Sequence, residues 1–205
     1  MRDDSASESA VETDSGDRSE AAPANETVAE ASGGDGGQPA DATWLGFSER
    51  SQPLVKAGVV LGIGLGGFVD GIVLHQILQV HHMVSSRVAP TDLAGMEVNV
   101  LADGIFHAAT YLFTIAGIVL LYRAWQSPSA PVSGRTLFGS VLMGFGLFNV
   151  VEGVVNHHLL ALHRVWPAGP GPAIAWDVGF LLSGVLLLAG GYAIVRGDAS
   201  AKPAG

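Results

Sequence analysis

Four apolar stretches, near residues 57–79, 99–122, 137–160 and 173–195, govern what this chain can become. Each can cross a hydrocarbon core of about 30 Å, which takes about 20 helical residues. Inside such a core every backbone N–H and C=O has to be paired, and a helix pairs them within its own segment. The connectors carry turn chemistry: SPSAPVSG at 127–134 and PAGPGP at 167–172 stop helices through Pro and Gly. Short connectors and alternating direction predict an all-α fold, an up-down four-helix transmembrane bundle over residues 51–197.

Residues 1–50 are of another kind. They hold twelve Asp/Glu against Arg2, Arg18 and Arg50, while the rest of the chain holds seven acids and seven bases, so the net charge of −9 sits in this segment. With almost no large apolar residue before Trp44, it cannot bury enough surface to offset its ordering entropy. A disordered acidic tail is expected, solvated rather than bound to a partner. Residues 198–205 are expected to be a disordered C-terminus. The tail lacks the basic start and apolar run of a signal peptide, so the first span acts as its own insertion signal.

Lys and Arg set the orientation. Arg50, Lys56, Arg123, Arg135, Arg196 and Lys202 lie on one side of the spans, and only Arg87 and Arg164 on the other. A multi-pass protein of the cell membrane with both termini cytoplasmic follows, its 80–98 and 161–172 loops facing outward. The lipid bilayer is its first partner, and no basic surface suggests nucleic acid. Gly58, Gly62 and Gly66 repeat every four residues and Gly139, Gly146 and Gly153 every seven. Small residues at such spacings let helices approach closely in lipid and carry no chemistry.

The ionisable residues of the spans do point to chemistry, because an ionisable group inside a membrane helix costs about 2.5–3.5 kcal/mol on insertion scales and usually has a role. They are Asp70 and His75 in the first span, Asp103 and His107 in the second, Glu152, His157 and His158 in the third, and Asp177 in the fourth. At about 1.5 Å per residue all lie within about 14 Å of the outer ends. Asn99, Asp103, His107, Thr110 and Thr114 form one stripe by helical spacing, and Asn149, Glu152 and Asn156 another. Two positions fit poorly: Asp70 is turned about 140° from His75, and His157 about 100° from Asn156.

Three helices supplying His and carboxylate to one interior suit a metal site. The chain has no cysteine, which excludes disulfides, thiolate zinc sites, iron–sulfur clusters and cysteine nucleophiles. Imidazole with carboxylate suits zinc, iron or copper(II). The expected ligands are His75, His107, His157, Asp103 and Glu152, with Asp70, Asn149, Asn156, His158 and Asp177 behind them or as alternatives. A b-type haem with axial ligands from His75, His107 and His157 is a second cofactor that fits. His81, His82 and His163 lie in or beside loops; they are expected as solvated surface residues that could capture an ion at the mouth. The same groups could instead carry protons or ions through the membrane, or serve only as polar glue in an accessory subunit. No serine triad or phosphate-binding loop is present, and a role other than catalysis is expected.

The strings GFVDGIVLHQILQVHHM (67–83), DGIFH (103–107) and GLFNVVEGVVNHHLLALH (146–163) resemble an uncharacterised family of small four-helix membrane proteins, domain of unknown function family 2243. The resemblance covers about residues 55–195. It implies the fold and the membrane, and no activity. Links of some members to a copper-delivery assembly factor of cytochrome c oxidase imply metal or haem handling beside a respiratory or metal-delivery membrane protein. By position, Asp70, His75, Asp103, His107, Glu152 and His157 are its motif residues. Asn156 and Arg164 stand where Asp and His are expected, which would change or shrink a ligand set that used them.

Overall fold

The computed structural model describes residues 45–128 and 133–201. Most of the acidic tail expected over residues 1–50, and residues 202–205 of the expected disordered C-terminus, lie outside the described residues. Four helices make up the fold: α1 (Gln52–Val69), α2 (Leu93–Gln126), α3 (Gly134–Glu152) and α4 (Ala173–Ala201). α1 and α3 do not stop at Val69 and Glu152 but widen into π-helical ends, Asp70–Ile77 and Gly153–Leu159. Counted with these ends, all four are long and apolar enough to cross a membrane.

Local sequence explains the helix starts. Pro53 sits in the first turn of α1, where its missing N–H costs nothing. Asp92 caps α2 by accepting from the Gly95 N–H at 2.8 Å, and Ser133 caps α3 by accepting from Thr136 at 3.2 Å. α4 begins directly after Pro172.

The bundle is open. α1 packs against α2 on one side and α3 on the other, while α4 packs against α3. The order is thus α2–α1–α3–α4, and among the described residues α2 and α4 each have one helical neighbour by backbone contact. Their outer surfaces are correspondingly apolar and exposed, at Leu101, Ile105, Leu112 and Ile118 on α2 and at Leu182, Val185 and Leu186 on α4. In a bilayer these are lipid contacts.

Glycine sets the two central helices close together. A Cβ on Gly62 would lie 2.1 Å from the Val141 carbonyl oxygen, and one on Gly144 would lie 2.0 Å from that of Val59. The two contacts are reciprocal, since 62 and 144, like 59 and 141, differ by 82.

That offset runs through the central helices. DGIVLHQILQVHH (70–82) and EGVVNHHLLALHR (152–164) share Gly, Val, His, Leu and His at matching positions. The outer helices match at an offset of 74, which pairs Asp103 with Asp177, Phe106 with Phe180 and Gly117 with Gly191. Packing follows the same rule. A Cβ on Gly64 would meet the Thr114 N and Thr110 O of α2, and one on Gly146 would meet the corresponding Leu188 N and Gly184 O of α4. The protein is therefore two copies of one helical hairpin, α1–α2 and α3–α4, related by a pseudo-two-fold axis between α1 and α3.

Candidate functional site

The π-helical ends build the site. A π turn bonds N–H to the carbonyl five residues back, as Leu78 N–H to Val73 O (2.8 Å) and Leu160 N–H to Val155 O (2.7 Å) do. Residues five apart then share a face. This corrects the 140° separation of Asp70 and His75 expected from an α-helical period: Asp70 Oδ2 lies 3.3 Å from His75 Nε2. The same holds for Glu152 and His157, whose Oε1 and Nε2 are 3.6 Å apart. π segments inside helices are frequent at functional sites.

Each end then reverses. Gln79 (φ 49°) and Ala161 (φ 46°) are non-glycine residues in the left-handed region, at a cost of about 1–2 kcal/mol each. The turn is closed by Val80 N–H to Leu74 O (3.0 Å) and by Leu162 N–H to Asn156 O (2.8 Å), the arrangement of a helix C-cap with a left-handed residue. It sends the chain back into the bundle and places His81 beside His75, ring centroids 4.5 Å apart, and His163 beside His157 at 4.7 Å.

His81 and His163 were expected as solvated residues. They are instead 3% and 0% exposed and stack on each other across the axis at 4.5 Å. Helical extrapolation missed them because it does not include the reversal; the repeated spacing of carboxylate, His and His at i, i+5 and i+11 was the signal that could have found them. His82 stays near the surface and donates from Nδ1 to Asp103 Oδ2 at 2.7 Å.

The hydrogen bonds decide where the lone pairs point. His81 Nδ1 donates to Val165 O (2.7 Å) and His163 Nδ1 to Met83 O (2.9 Å), again a reciprocal pair. His75 Nδ1 donates to Asp103 Oδ1 (2.9 Å). A neutral ring with its proton on Nδ1 leaves Nε2 as the free acceptor. Yet His75, His81 and His163 each bring a ligand atom within 4.8 Å of the others, as do Glu152, His157 and His163. Glu152 Oε1 lies 3.1 Å from His163 Nε2, and His157 Nε2 lies 3.0 Å from it. Among the described residues, both Asp70 oxygens, Glu152 Oε2, His157 Nδ1 and Nε2 of His75 and His81 are buried without a hydrogen-bond partner, as are Asn99 Oδ1 and His107 Nε2 away from this cluster's donor sets. Lone pairs and carboxylates facing one another in a dry interior are costly unless a proton or another cation lies between them. His81, in the loop after α1, is kept neutral: burial first, then the His163 and His75 imidazoles, push its pKa from 6.5 down to about 2.

The other sequence candidates take different places. Asp103 has both oxygens engaged, by His75, His82 and the Met83 N–H (2.8 Å), so it orients imidazoles rather than offering a free ligand atom. Asp177, its repeat partner, accepts from the Val165 N–H (3.0 Å) and pairs with Arg164. His107 donates to its own helix at Asp103 O (2.8 Å), with its Nε2 against Gly71, and belongs to neither donor set. Asn156 donates to Glu152 Oε1 (3.2 Å), Asn149 bridges to Ser183 on α4 (3.1 Å), and His158 bonds Gly153 O (2.7 Å). A cleft of about 360 Å³ reaches His157 and His163, with Arg87 and Arg164 on its walls.

A family model described as a predicted membrane protein (DUF2243) matches residues 57–198. No curated protein and no solved structure matches the chain.

Proposed function

Since the chain belongs to this family of predicted membrane proteins, we propose that its bundle serves to hold a first-row transition metal at one end of the membrane. The observation that carries this reading is the convergence of three imidazoles, each anchored by an Nδ1–H bond to an oxygen, beside buried carboxylates. Anchoring the far nitrogen in this way is how proteins orient metal-ligating histidines. Protons could answer His75 against Asp70 and His163 against Glu152, but would leave His81 Nε2 buried without a partner. Neutral imidazole with carboxylate suits zinc, iron or copper(II).

An ion fits better than haem, because imidazole rings packed at 4.5 Å, His81 stacked on His163 and edge-on to His75, leave no gap for a macrocycle. It also fits better than a proton path. Among the described residues the buried Asp, Glu and His groups gather toward the 78–92 and 160–172 connectors, and a path needs such groups at both faces. The Lys/Arg asymmetry puts these connectors outside the cytoplasm. Handing metal to, or exchanging electrons with, a respiratory membrane protein is the most concrete role for a centre so placed.

Elemental analysis of tag-free, detergent-purified protein tests the reading, alongside its absorption spectrum. Near-stoichiometric transition metal is the expected result. Protein that carries none and takes up neither Zn²⁺ nor Co²⁺ would sink it, and a Soret band would return the reading to haem. Asp103→Asn probes the orienting carboxylate. It is expected to weaken metal binding about 10- to 100-fold without loss of helix content, read by competition with a chromophoric chelator.

A further inference from the structure

We infer that the centre holds two metal ions, one for each hairpin, the second bound by Glu152, His157 and His163 and the first by their counterparts in the repeat, Asp70, His75 and His81. This deepens the metal-binding reading and rests on it.

Three observations carry the inference. Each hairpin supplies one carboxylate and two imidazoles at identical spacing, i, i+5 and i+11, on identical backbone: a π turn, then a left-handed residue at i+9. Within each hairpin the carboxylate meets the first imidazole, at 3.3 Å for Asp70 and His75 and at 3.6 Å for Glu152 and His157. Buried atoms without a protein partner occur in both groups: Asp70 Oδ1 and Oδ2 with His75 and His81 Nε2 in one, Glu152 Oε2 with His157 Nδ1 in the other.

An imidazole nitrogen has one lone pair and serves one ion. The ligand atoms that converge fall into two groups, His75, His81 and His163 in one and Glu152, His157 and His163 in the other; Asp70 belongs to neither, so a single ion at either group would leave it unused. Two ions use all six side chains, and two histidines with one carboxylate leave open coordination positions. The two carboxylates offset half the charge of two divalent ions. The cleft that reaches His157 and His163 opens on the second half-site, which makes that ion the more accessible to a ligand from solution.

The test is the number of ions bound by the full-length protein, first stripped and then titrated with Zn²⁺ and, separately, Co²⁺. Two per chain are expected. Asp70→Asn with His75→Gln should leave one, and so should Glu152→Gln with His157→Gln; these near-isosteric changes keep the packing, and the melting temperature in detergent verifies it. One ion in the wild-type protein overturns the inference while leaving metal binding intact. None overturns metal binding itself. If the wild type binds two and a variant that melts normally keeps both or loses both, the assignment of one ion to each hairpin is wrong.

Discussion

His163→Ala is expected to reduce the metal retained after a chelator challenge to less than about half of the wild-type content, in protein that still inserts and remains helical. His163 is the one residue common to the two groups of converging ligand atoms, so this single change strips a ligand from the second site and a neighbour from the first. The loss should exceed the roughly 10- to 100-fold weakening that follows removal of an outer-shell partner. His107→Ala is the control. His107 stacks on Phe68, and its repeat counterpart is Leu181, so metal content should not change. Elemental analysis of the two variants side by side decides the matter. Full metal in His163→Ala with loss in His107→Ala would move the centre one turn down α2.

Gly62→Ala should lower the melting temperature in detergent by about 10 °C, while Gly104→Ala leaves it unchanged or slightly raised. The chemical change is the same. At position 62 the new methyl would stand 2.1 Å from a backbone oxygen and 2.9 Å from the Gly144 Cα, whereas position 104 has nothing within 4 Å. Backbone cannot rotate aside as a side chain can, so α1 and α3 must separate. Overpacking of this kind costs about 1–3 kcal/mol or more, and each kcal/mol is worth about 2–4 °C in a chain of this size. At the exposed position, replacing Gly in a helix gains up to about 1 kcal/mol. Because α1 and α3 also carry the two imidazole pairs, Gly62→Ala should weaken metal binding as well. Equal melting temperatures for both variants would mean that the central crossing contributes little.

The membrane-spanning frame was legible in the sequence because it follows from length and apolarity alone, and four helices long and apolar enough to cross lie where the four apolar stretches are. The site was legible in part. Asp70, His75, Glu152 and His157 stood out as ionisable residues within apolar segments. Their mutual geometry did not, because a 3.6-residue period applied through Asp70–Ile77 rotates Asp70 away from the histidine that the π turn brings to it. His81 and His163 were placed in solvent for a related reason. Their burial depends on left-handed turns at Gln79 and Ala161, and neither Gln nor Ala signals such a turn as Gly would. Asp103 and His107 look like a ligand pair by i, i+4 spacing. Position i+4 on an α-helix, however, lets His107 Nδ1 reach the Asp103 backbone carbonyl, and the Asp103 carboxylate is taken by the loop after α1.

Two copies of one hairpin in a single chain amount to a homodimer whose subunits have been joined. The junction does more than raise their effective concentration. In a true homodimer any change appears twice, on both sides of the axis, so the two halves of a shared pocket stay identical. Fusion removes that constraint. Here Asp70 is matched by Glu152, His82 by Arg164, and His107 by Leu181. Asp103 steadies His75, while its counterpart Asp177 has turned to an arginine instead. Joined in one chain, the first hairpin sets its carboxylate to orient a histidine, while the second pairs the corresponding carboxylate with an arginine on the wall of the cleft.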